Sequence, residues 1–482
     1  MGAKANRVET MAAKITRYRY FVLAVLCSLA FLTYLDRICI MRVQDEISAD
    51  LRFHAFSKAD KEILHQKGLE NDSAAAAKIA KDRATDRLGW IFAAFAAGYL
   101  LFEIPGGWLG DRWGARAVIF RIVLSWSLFT ALTGGVKGVT NLFAKSPGPE
   151  QWFTALLFIR FLFGAFEAGA YPNIARALGR WFPFHERATA QSFIWFSSRM
   201  GGAFAPIIIG SLMALSGSWQ RAFYGLGAIG FVWAFFFFAW FRDRPEDEPR
   251  VDAAEREFIR GDAAPATIYD DNSTAPMQWT ALFSPNVLAL CLIQFCVSFC
   301  FYFYITFLPR YLKDQFQVDF QQSQLLSGLP MFLGAFACIA GGYFSDYAIR
   351  KTGNRRWGRS LVPIFAWTAS AICVFAVPAF NSANAVMALL TIGFVFQDLG
   401  VAAMWSLPAD IGGRYTATLG GWMNTIGCVA AMLSPLTSAK ISIAYGWNPL
   451  FFVFGAVYLL GALAWARVDA SAPMIQSNNR SP

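Results

Sequence analysis

Charge is scarce in this chain. Of its 482 residues 15% are Asp, Glu, Lys or Arg, against 56% hydrophobic and 16% aromatic, a balance too apolar for an ordinary soluble domain. Histidine is scarcer still. His54, His65 and His185 are the three present, each at or near an expected aqueous loop, so a histidine-based metal site inside a membrane has no ligands to draw on. The eight cysteines, Cys27, Cys39, Cys291, Cys296, Cys300, Cys338, Cys373 and Cys428, lie in apolar runs without C-x-x-C spacing and read as small buried hydrophobes. No nucleophile–base cluster, metal motif or phosphate loop occurs, which argues against an enzyme, although buried carboxylates alone could still do acid/base work.

What the chain has in quantity is long hydrophobic runs. About twelve windows reach the roughly 20 apolar residues needed to cross a bilayer, near 18–40, 86–108, 116–138, 152–176, 188–212, 221–242, 284–309, 323–345, 359–380, 384–408, 414–442 and 447–467. An all-α, multi-pass membrane protein is expected. The first run ends in Tyr34-Leu35-Asp36-Arg37 and has no small-residue cleavage site after a short apolar core, so it reads as a retained helix and not a signal peptide. Lys4, Arg7, Lys14, Arg17 and Arg19 precede it, and an even number of spans leaves Arg467 and Arg480 on the same side. Both termini are therefore expected in the cytoplasm. The short loops holding Arg112, Arg116, Arg176, Arg180 and the cluster Arg350 to Arg359 fall there too, so the net charge of +10 reflects topology and not a nucleic-acid partner.

A hydrophilic run, Arg242 to Gln278, splits the spans into two sets of six. The organisation expected is an N-terminal bundle over 1–242 with an outer loop at 45–87, a cytoplasmic linker at 243–283, and a C-terminal bundle with a short tail over 284–482. Glu248, Glu255 and Glu257 read as solvated linker charges. The outer loop carries an alanine-rich piece, Ala74 to Ala77, and is expected to be partly helical outside the membrane, as a solvated insertion or as a lid or docking element. The two halves echo one another. Tyr34-Leu35-Asp36-Arg37 is matched by Phe307-Leu308-Pro309-Arg310, Gly106-Gly107-Trp108-Leu109-Gly110-Asp111-Arg112 by Gly341-Gly342-Tyr343-Phe344-Ser345-Asp346-Tyr347, and Pro206 by Pro435. Such internal symmetry is what a transporter with its substrate between two bundles shows.

Charges inside these runs stand out, because an ion at the bilayer centre costs at least ~2.5–3.5 kcal/mol and must pair or line a wet path. Asp36 and Arg37 lie side by side in the first run, Arg160 and Glu167 in the fourth, and Arg199 in the fifth. Arg160 and Glu167 are about 20° short of two full helical turns apart, so both face one side some 10 Å apart along the axis. Arg37 offers a two-pronged donor matched to a carboxylate. These groups either bracket an anionic ligand or form structural ion pairs holding helices in register. Arg199 sits one turn from Gly202 and two from Pro206; on the cavity it would favour a substrate with two acidic groups, and otherwise it pairs with Glu167 or another acid to lock spans four and five together.

Gly107-Trp108-Leu109-Gly110-Asp111-Arg112-Trp113-Gly114-Ala115-Arg116 resembles the loop signature of the major facilitator superfamily. Its glycines allow a tight turn and close helix approach, and Asp111 can meet a helix N-terminus or a facing arginine. Gly107, Asp111, Arg112, Arg116 and, in the second copy, Asp346 are the expected gating latch. Within that superfamily the chain most resembles the anion:cation symporters. The resemblance rests on Tyr34 to Arg37, on Gly98-Tyr99 followed by Ile104-Pro105-Gly106-Gly107, and on Arg160-Phe161-Leu162-x-Gly164-x-x-Glu167-Ala168-Gly169-x-x-Pro172 with Trp181-Phe182-Pro183-x-x-Glu186-Arg187 after it. Thr33, where asparagine is common, and the long loop 45–87 depart from the family pattern.

The resemblance implies a major facilitator fold, twelve helices in two pseudosymmetric six-helix bundles. It implies that Arg37 binds the substrate carboxylate, that Asp36 and Glu167 take up coupling protons, and that Arg160 tunes Glu167. Tyr34 and Tyr99 would donate hydroxyls, with Asn424 and Trp405 contributing from the second half. The expected activity is proton-coupled import of an organic anion, a sugar acid or related carboxylate or dicarboxylate, by a monomer in a bacterial inner membrane, with no cofactor beyond the coupling ion. An organophosphate/phosphate antiporter is the alternative within transport; a membrane sensor or membrane enzyme is the alternative outside it.

Overall fold

The structure, a computed structural model, describes residues 16–55, 73–261, 277–318 and 320–475. Lys4, Arg7, Lys14, His65 and Arg480 lie outside them. Among the described residues twelve helical segments are long and apolar enough to cross a membrane. They are Tyr18–Arg42, Ala76–Trp113, Ala115–Gly134, Pro149–Trp181, Phe184–Ser216, Trp219–Trp240, Pro285–Thr306, Leu326–Thr352, Arg355–Ala379, Ala383–Ile411, Gly413–Tyr445 and Asn448–Arg467, here the first to twelfth spans.

The packing repeats between halves. The first span packs on the fifth, the second on the fourth and the third on the sixth; likewise the seventh on the eleventh, the eighth on the tenth and the ninth on the twelfth. The halves meet where the second span crosses the eleventh and the fifth crosses the eighth. Lipid supplies no hydrophobic drive between helices, so small residues that let backbones approach do this work. Gly98 faces the carbonyl of Phe161, and Gly164 faces that of Phe95. A side chain at either would drive into backbone.

Three features differ from the sequence expectation. The second span belongs to one helix from Ser73 to Trp113, because the alanine-rich piece is a strong helix former and simply continues it. Arg87 on this extension pairs with Glu150 at the head of the fourth span. Of the described part of the outer loop, the stretch from Ser73 on is thus a prolongation of a span, while the other end forms a separate short helix, Gln44–Asp50, followed by a turn. Next, the fourth span is broken. One helix runs Pro149–Glu167 and another Ala170–Trp181, with Gly169 at φ +86° between them, a conformation open to glycine. The tenth span is interrupted in the same place, Ala383–Leu399 and then Val401–Ile411 around Gly400. Gly106 of the second span presses against Ala168 and Gly169 at the first break, and Gly341 of the eighth against Leu399 at the other.

The third difference is in the linker, where Glu255 and Glu248 are buried and not solvated. Glu255 sits in a short helix, Ala253–Gly261, and accepts hydrogen bonds from Thr16 Oγ1 at 2.9 Å, Tyr18 N at 3.0 Å and Arg19 Nη1 at 2.9 Å. Arg19 also reaches Glu186 in the short 3-10 turn that opens the fifth span. Glu248 is held by Arg250, whose Nε lies 2.6 Å away, and that pairing holds the Glu248 carboxyl below its ordinary range. Glu257 is exposed as expected. The linker helix therefore forms a collar with the start of the first span.

Candidate functional site

Between the halves lies a cavity of about 280 Å³, near the lower end of the roughly 300–1,000 Å³ usual for small-ligand sites. Tyr34, Arg37, Tyr99, Arg199, Trp405 and Asn424 all line it. Packing explains why they converge. Gly201 lets the fifth span approach the carbonyl of Phe31, and Gly202 faces Tyr34 and Ile38, which brings Arg199 alongside the exposed edge of the first span.

Arg37 stands in an aromatic cage, with its guanidinium carbon 4.8 Å from the Tyr99 ring centroid, 5.3 Å from Tyr34 and 5.4 Å from Phe95. Its Nε donates to Glu167 Oε1 at 3.1 Å, and Nη2 donates to the same oxygen. Glu167 is the last residue before the break in the fourth span and is wholly buried, with Oε2 unpartnered. Asp36 is buried with Oδ1 unpartnered. Arg160 is buried over Phe163 and Phe95, at 4.3 and 5.2 Å. Asp36, Arg37, Arg160 and Glu167 are close enough to feel one another's charge. Of this group Arg37 alone lines the cavity. The expectation that the cavity also reaches Arg160 and Glu167 is corrected: they lie behind Arg37, because that side chain and Phe95 fill the wall in front of them.

Arg199 lines the cavity too, but its partner is Asp398 on the tenth span and not Glu167. Spans four and five are not the pair it locks; it links the two halves. Trp405 joins an aromatic stack at the cavity floor. Its ring is 5.2 Å from Trp195, which stacks on Tyr171 at 4.9 Å and 12°. Asn424 donates to Tyr99 Oη at 3.3 Å and to Glu103 Oε1 at 2.7 Å.

Glu103 and Asp398 escaped the sequence reading. Both are fully buried carboxylates within apolar runs, so the rule that singled out Asp36 and Glu167 would have found them. Glu103 Oε2 caps the restart of the broken fourth span through Gly169 N at 2.9 Å. Gln294, Ser298, Tyr302 and Gln397 also line the cavity, and short polar residues in a single sequence carry no signal that separates them from helix-packing amides.

At one end of the molecule the halves are sealed by two equivalent locks. Asp111 accepts from Ala417 N at 3.1 Å and from Thr418 N and Oγ1 at 2.7 Å, on the first turn of the eleventh span, and pairs with Arg176 at 2.7 Å. Asp346 accepts from Thr189 N at 2.7 Å on the first turn of the fifth span and pairs with Arg359. Gly107 and Gly342 give the close approach, against Ala417 and Ala188. The second lock lacks an arginine at Tyr347 yet is complete, because Arg359 from the ninth span supplies the cation and also binds Asp410 at 2.8 Å. Asp410 in turn receives Arg187 at 3.1 Å. Two expected latch residues do something else. Arg112 lies over the Trp108 ring, and Arg116 donates to Phe238 O at 2.9 Å, tying the third span to the sixth. The echo of Arg37 at Arg310 is also only sequential, since Arg310 is exposed beside Asp314.

A broken helix in each half, a charged cavity at the level of the breaks and paired carboxylate locks at one end define a transporter that alternates access around a central site. The chain belongs to the Major Facilitator Superfamily, whose family description it matches over residues 26–435, and it is a transporter and not an enzyme. It is 33% identical over 452 residues to a probable sulfoacetate transporter of Cupriavidus necator, covering 92% of this chain and 93% of that one. It is 29% identical to a D-galactonate transporter of Escherichia coli, covering 78% and 85% of the two chains. Among solved structures, the human organic anion transporter MFSD10 superposes with a TM-score of 0.62 at 15% identity over 92% of this chain and 99% of that one, and the proton:xylose symporter XylE with 0.63 at 12% identity over 92% and 94%. These two show the shared fold.

Proposed function

We propose that the protein imports a small organic anion together with protons, across a bacterial inner membrane, as a monomer with the sealed end and both termini in the cytoplasm. The observation that carries this reading is the Arg37–Glu167 pair: the one cation of its cluster on the cavity wall is neutralised by a buried carboxylate behind it. A substrate carboxylate that takes the Arg37 fork leaves Glu167 unpaired in a medium of low dielectric, where its charged form is disfavoured and it gains a proton. Asp36, buried and half unpartnered, is the second proton carrier, and Arg160 balances the cluster's charge. The basic loops at the sealed end support the orientation. The cavity volume suits a sugar acid or a small sulfonate-carboxylate, which is what the relatives' names specify for those proteins. An organophosphate antiporter would use the two cavity arginines but gives no role to the carboxylates behind Arg37.

The test is uptake into proteoliposomes of sulfoacetate, galactonate and glucarate under an imposed pH gradient, beside a sodium gradient and a phosphate-loaded exchange arm. Accumulation driven by the pH gradient, lost in Asp36→Asn and Glu167→Gln while at least one of them still exchanges substrate between loaded compartments, is the expected result. Normal accumulation in both variants would falsify the proton assignment, and uptake only against internal phosphate would favour the antiporter.

A further inference from the structure

Asp398 occupies in the second half the place that Glu167 occupies in the first. Glu167-Ala168-Gly169 and Asp398-Leu399-Gly400 each put a carboxylate two residues before the glycine at which the span breaks. Each break is backed by the corresponding glycine of the neighbouring span, Gly106 and Gly341. Each carboxylate is fully buried, each is bound through one oxygen by an arginine that lines the cavity, and each leaves its other oxygen without a partner. The sequence echoes in the loops gave no hint of this correspondence, which only the packing reveals.

We propose that Arg199 and Asp398 form a second anion subsite: the far acidic group of a dianionic substrate takes Arg199 from Asp398, and Asp398 then holds a proton drawn from the cavity water. This rests on the transport reading above and specifies its substrate class, a small molecule with two separated acidic groups. The O–H formed on Asp398 takes its proton from hydronium or buffer acid of the bulk solution, relayed through the cavity water, and the ion pair that breaks is replaced by one to substrate, so charge balances. The surroundings suit the exchange. Arg199 lies over the rings of Phe394 and Phe301, at 5.5 and 5.9 Å, which hold the guanidinium in place when the carboxylate leaves. Gln397 lines the cavity, its Oε1 fixed by Tyr458 Oη at 2.7 Å and its side-chain amide beside Asp398, where it steadies the carboxylate. Tyr34, Arg37 and Arg199 line the same cavity of about 280 Å³, so one molecule can engage both arginines. The other titratable groups near Asp398 are Cys338 of the eighth span, Tyr304 of the seventh and Tyr458 of the twelfth. None of these is a cation, so among the described residues Arg199 supplies the positive charge beside the carboxylate, with the Gln397 amide as a neutral donor.

The experiment is calorimetric binding and proton uptake in weakly buffered detergent solution, with sulfoacetate and glucarate as dianions against methanesulfonate and gluconate as monoanions. Wild type should take up about one proton more per dianion than per monoanion. In Asp398→Asn the dianion count should fall to the monoanion count while dianion affinity rises, because the internal competitor is gone. Arg199→Gln should lower the dianion-to-monoanion affinity ratio by about tenfold or more. Because that variant strands Asp398 without a cation, the double variant Arg199→Gln/Asp398→Asn, which removes both charges together, is measured beside it and should show the same lost ratio. Unchanged proton counts in Asp398→Asn, or an unchanged ratio in the double variant, overturns the subsite and leaves the pair a structural tie between the halves, with the Arg37 site intact. Absence of saturable binding of all four probes to wild type overturns the transport reading and the subsite with it.

Discussion

Replacing Arg37 by alanine removes two donors at once, since Nε and Nη2 both point at the anion position now filled by Glu167 Oε1. A hydrogen bond to a charged group contributes about 1.5–3 kcal/mol, so losing two of them from the substrate complex weakens binding by roughly 3–6 kcal/mol, or about 100-fold to 10,000-fold in Kd. Arg37→Lys should recover little, because a single ammonium cannot reproduce the fork and loses the flat stacking in the cage of Tyr99, Tyr34 and Phe95. The opposite sign is expected for Glu167→Gln. That change removes the carboxylate with which substrate competes, so affinity should rise and its dependence on pH should flatten. Calorimetry with sulfoacetate and galactonate on all three variants, each checked for intact folding by its thermal transition, reads these effects. An unchanged Kd for Arg37→Ala removes Arg37 from the site, and weaker binding in Glu167→Gln refutes the competition on which the coupling argument depends.

Asp111→Ala strands the amides of Ala417 and Thr418 and takes the carboxylate from buried Arg176, which keeps the Arg414 carbonyl, at a cost to the sealed conformation of about 3–5 kcal/mol. A cysteine placed at the sealed end should therefore react faster with a membrane-impermeant reagent in Asp111→Ala, and in Asp346→Ala to a similar degree. Equal rates in wild type and variants refute the lock. In the collar, amides of Glu255 and Thr16 at 2.6 and 2.9 Å hold the Asp252 carboxyl below its ordinary range. The stability it contributes is complete above the ordinary aspartate value of about 3.9 and is lost as pH falls through the depressed value in the folded state. Hydrogen exchange in the linker helix should accordingly be flat from neutral pH to about pH 5 and accelerate beyond the intrinsic trend only below about pH 4; collar loosening near pH 6 refutes this assignment.

How much of this could be read in advance depends on what kind of signal each residue carries. The spans were legible because a run of apolar residues has no other use at that length, and their ends shifted by a few residues except where Ala74 to Ala77 prolonged the second helix. Asp36, Arg37, Glu167 and Arg199 were legible because a charge in such a run is costly. The same cost marks Glu103 and Asp398, although no loop signature or echo between the halves includes either of them. Partners were another matter. Nothing in the spacing of Arg199 says that its carboxylate comes from residue 398, since that pairing is fixed by where two halves meet. The break at Gly169 was hidden as well, because a glycine in an apolar helix usually marks close packing, and here it marks both packing and a change of backbone direction. Glu255 looked solvated because its neighbours are, yet the short helix turns that one side chain inward onto the start of the first span.

Across the seam both locks grip main-chain amides of the facing helix, with the Thr418 hydroxyl as an added donor to Asp111, and that has a bearing on how this protein can change over time. Asp111 and Asp346 bind the amides at Ala417, Thr418 and Thr189, groups that every residue except proline provides. Apart from Arg187, which binds Asp410, and Thr418, whose hydroxyl reaches Asp111, the helix starts in the fifth and eleventh spans are thus free to drift in sequence without loosening the seal, so long as they stay small enough for Gly107 and Gly342 to pass. Mutational tolerance should therefore be lopsided across each contact: permissive on the helix that offers its amides, and strict at the aspartate and glycine that approach it.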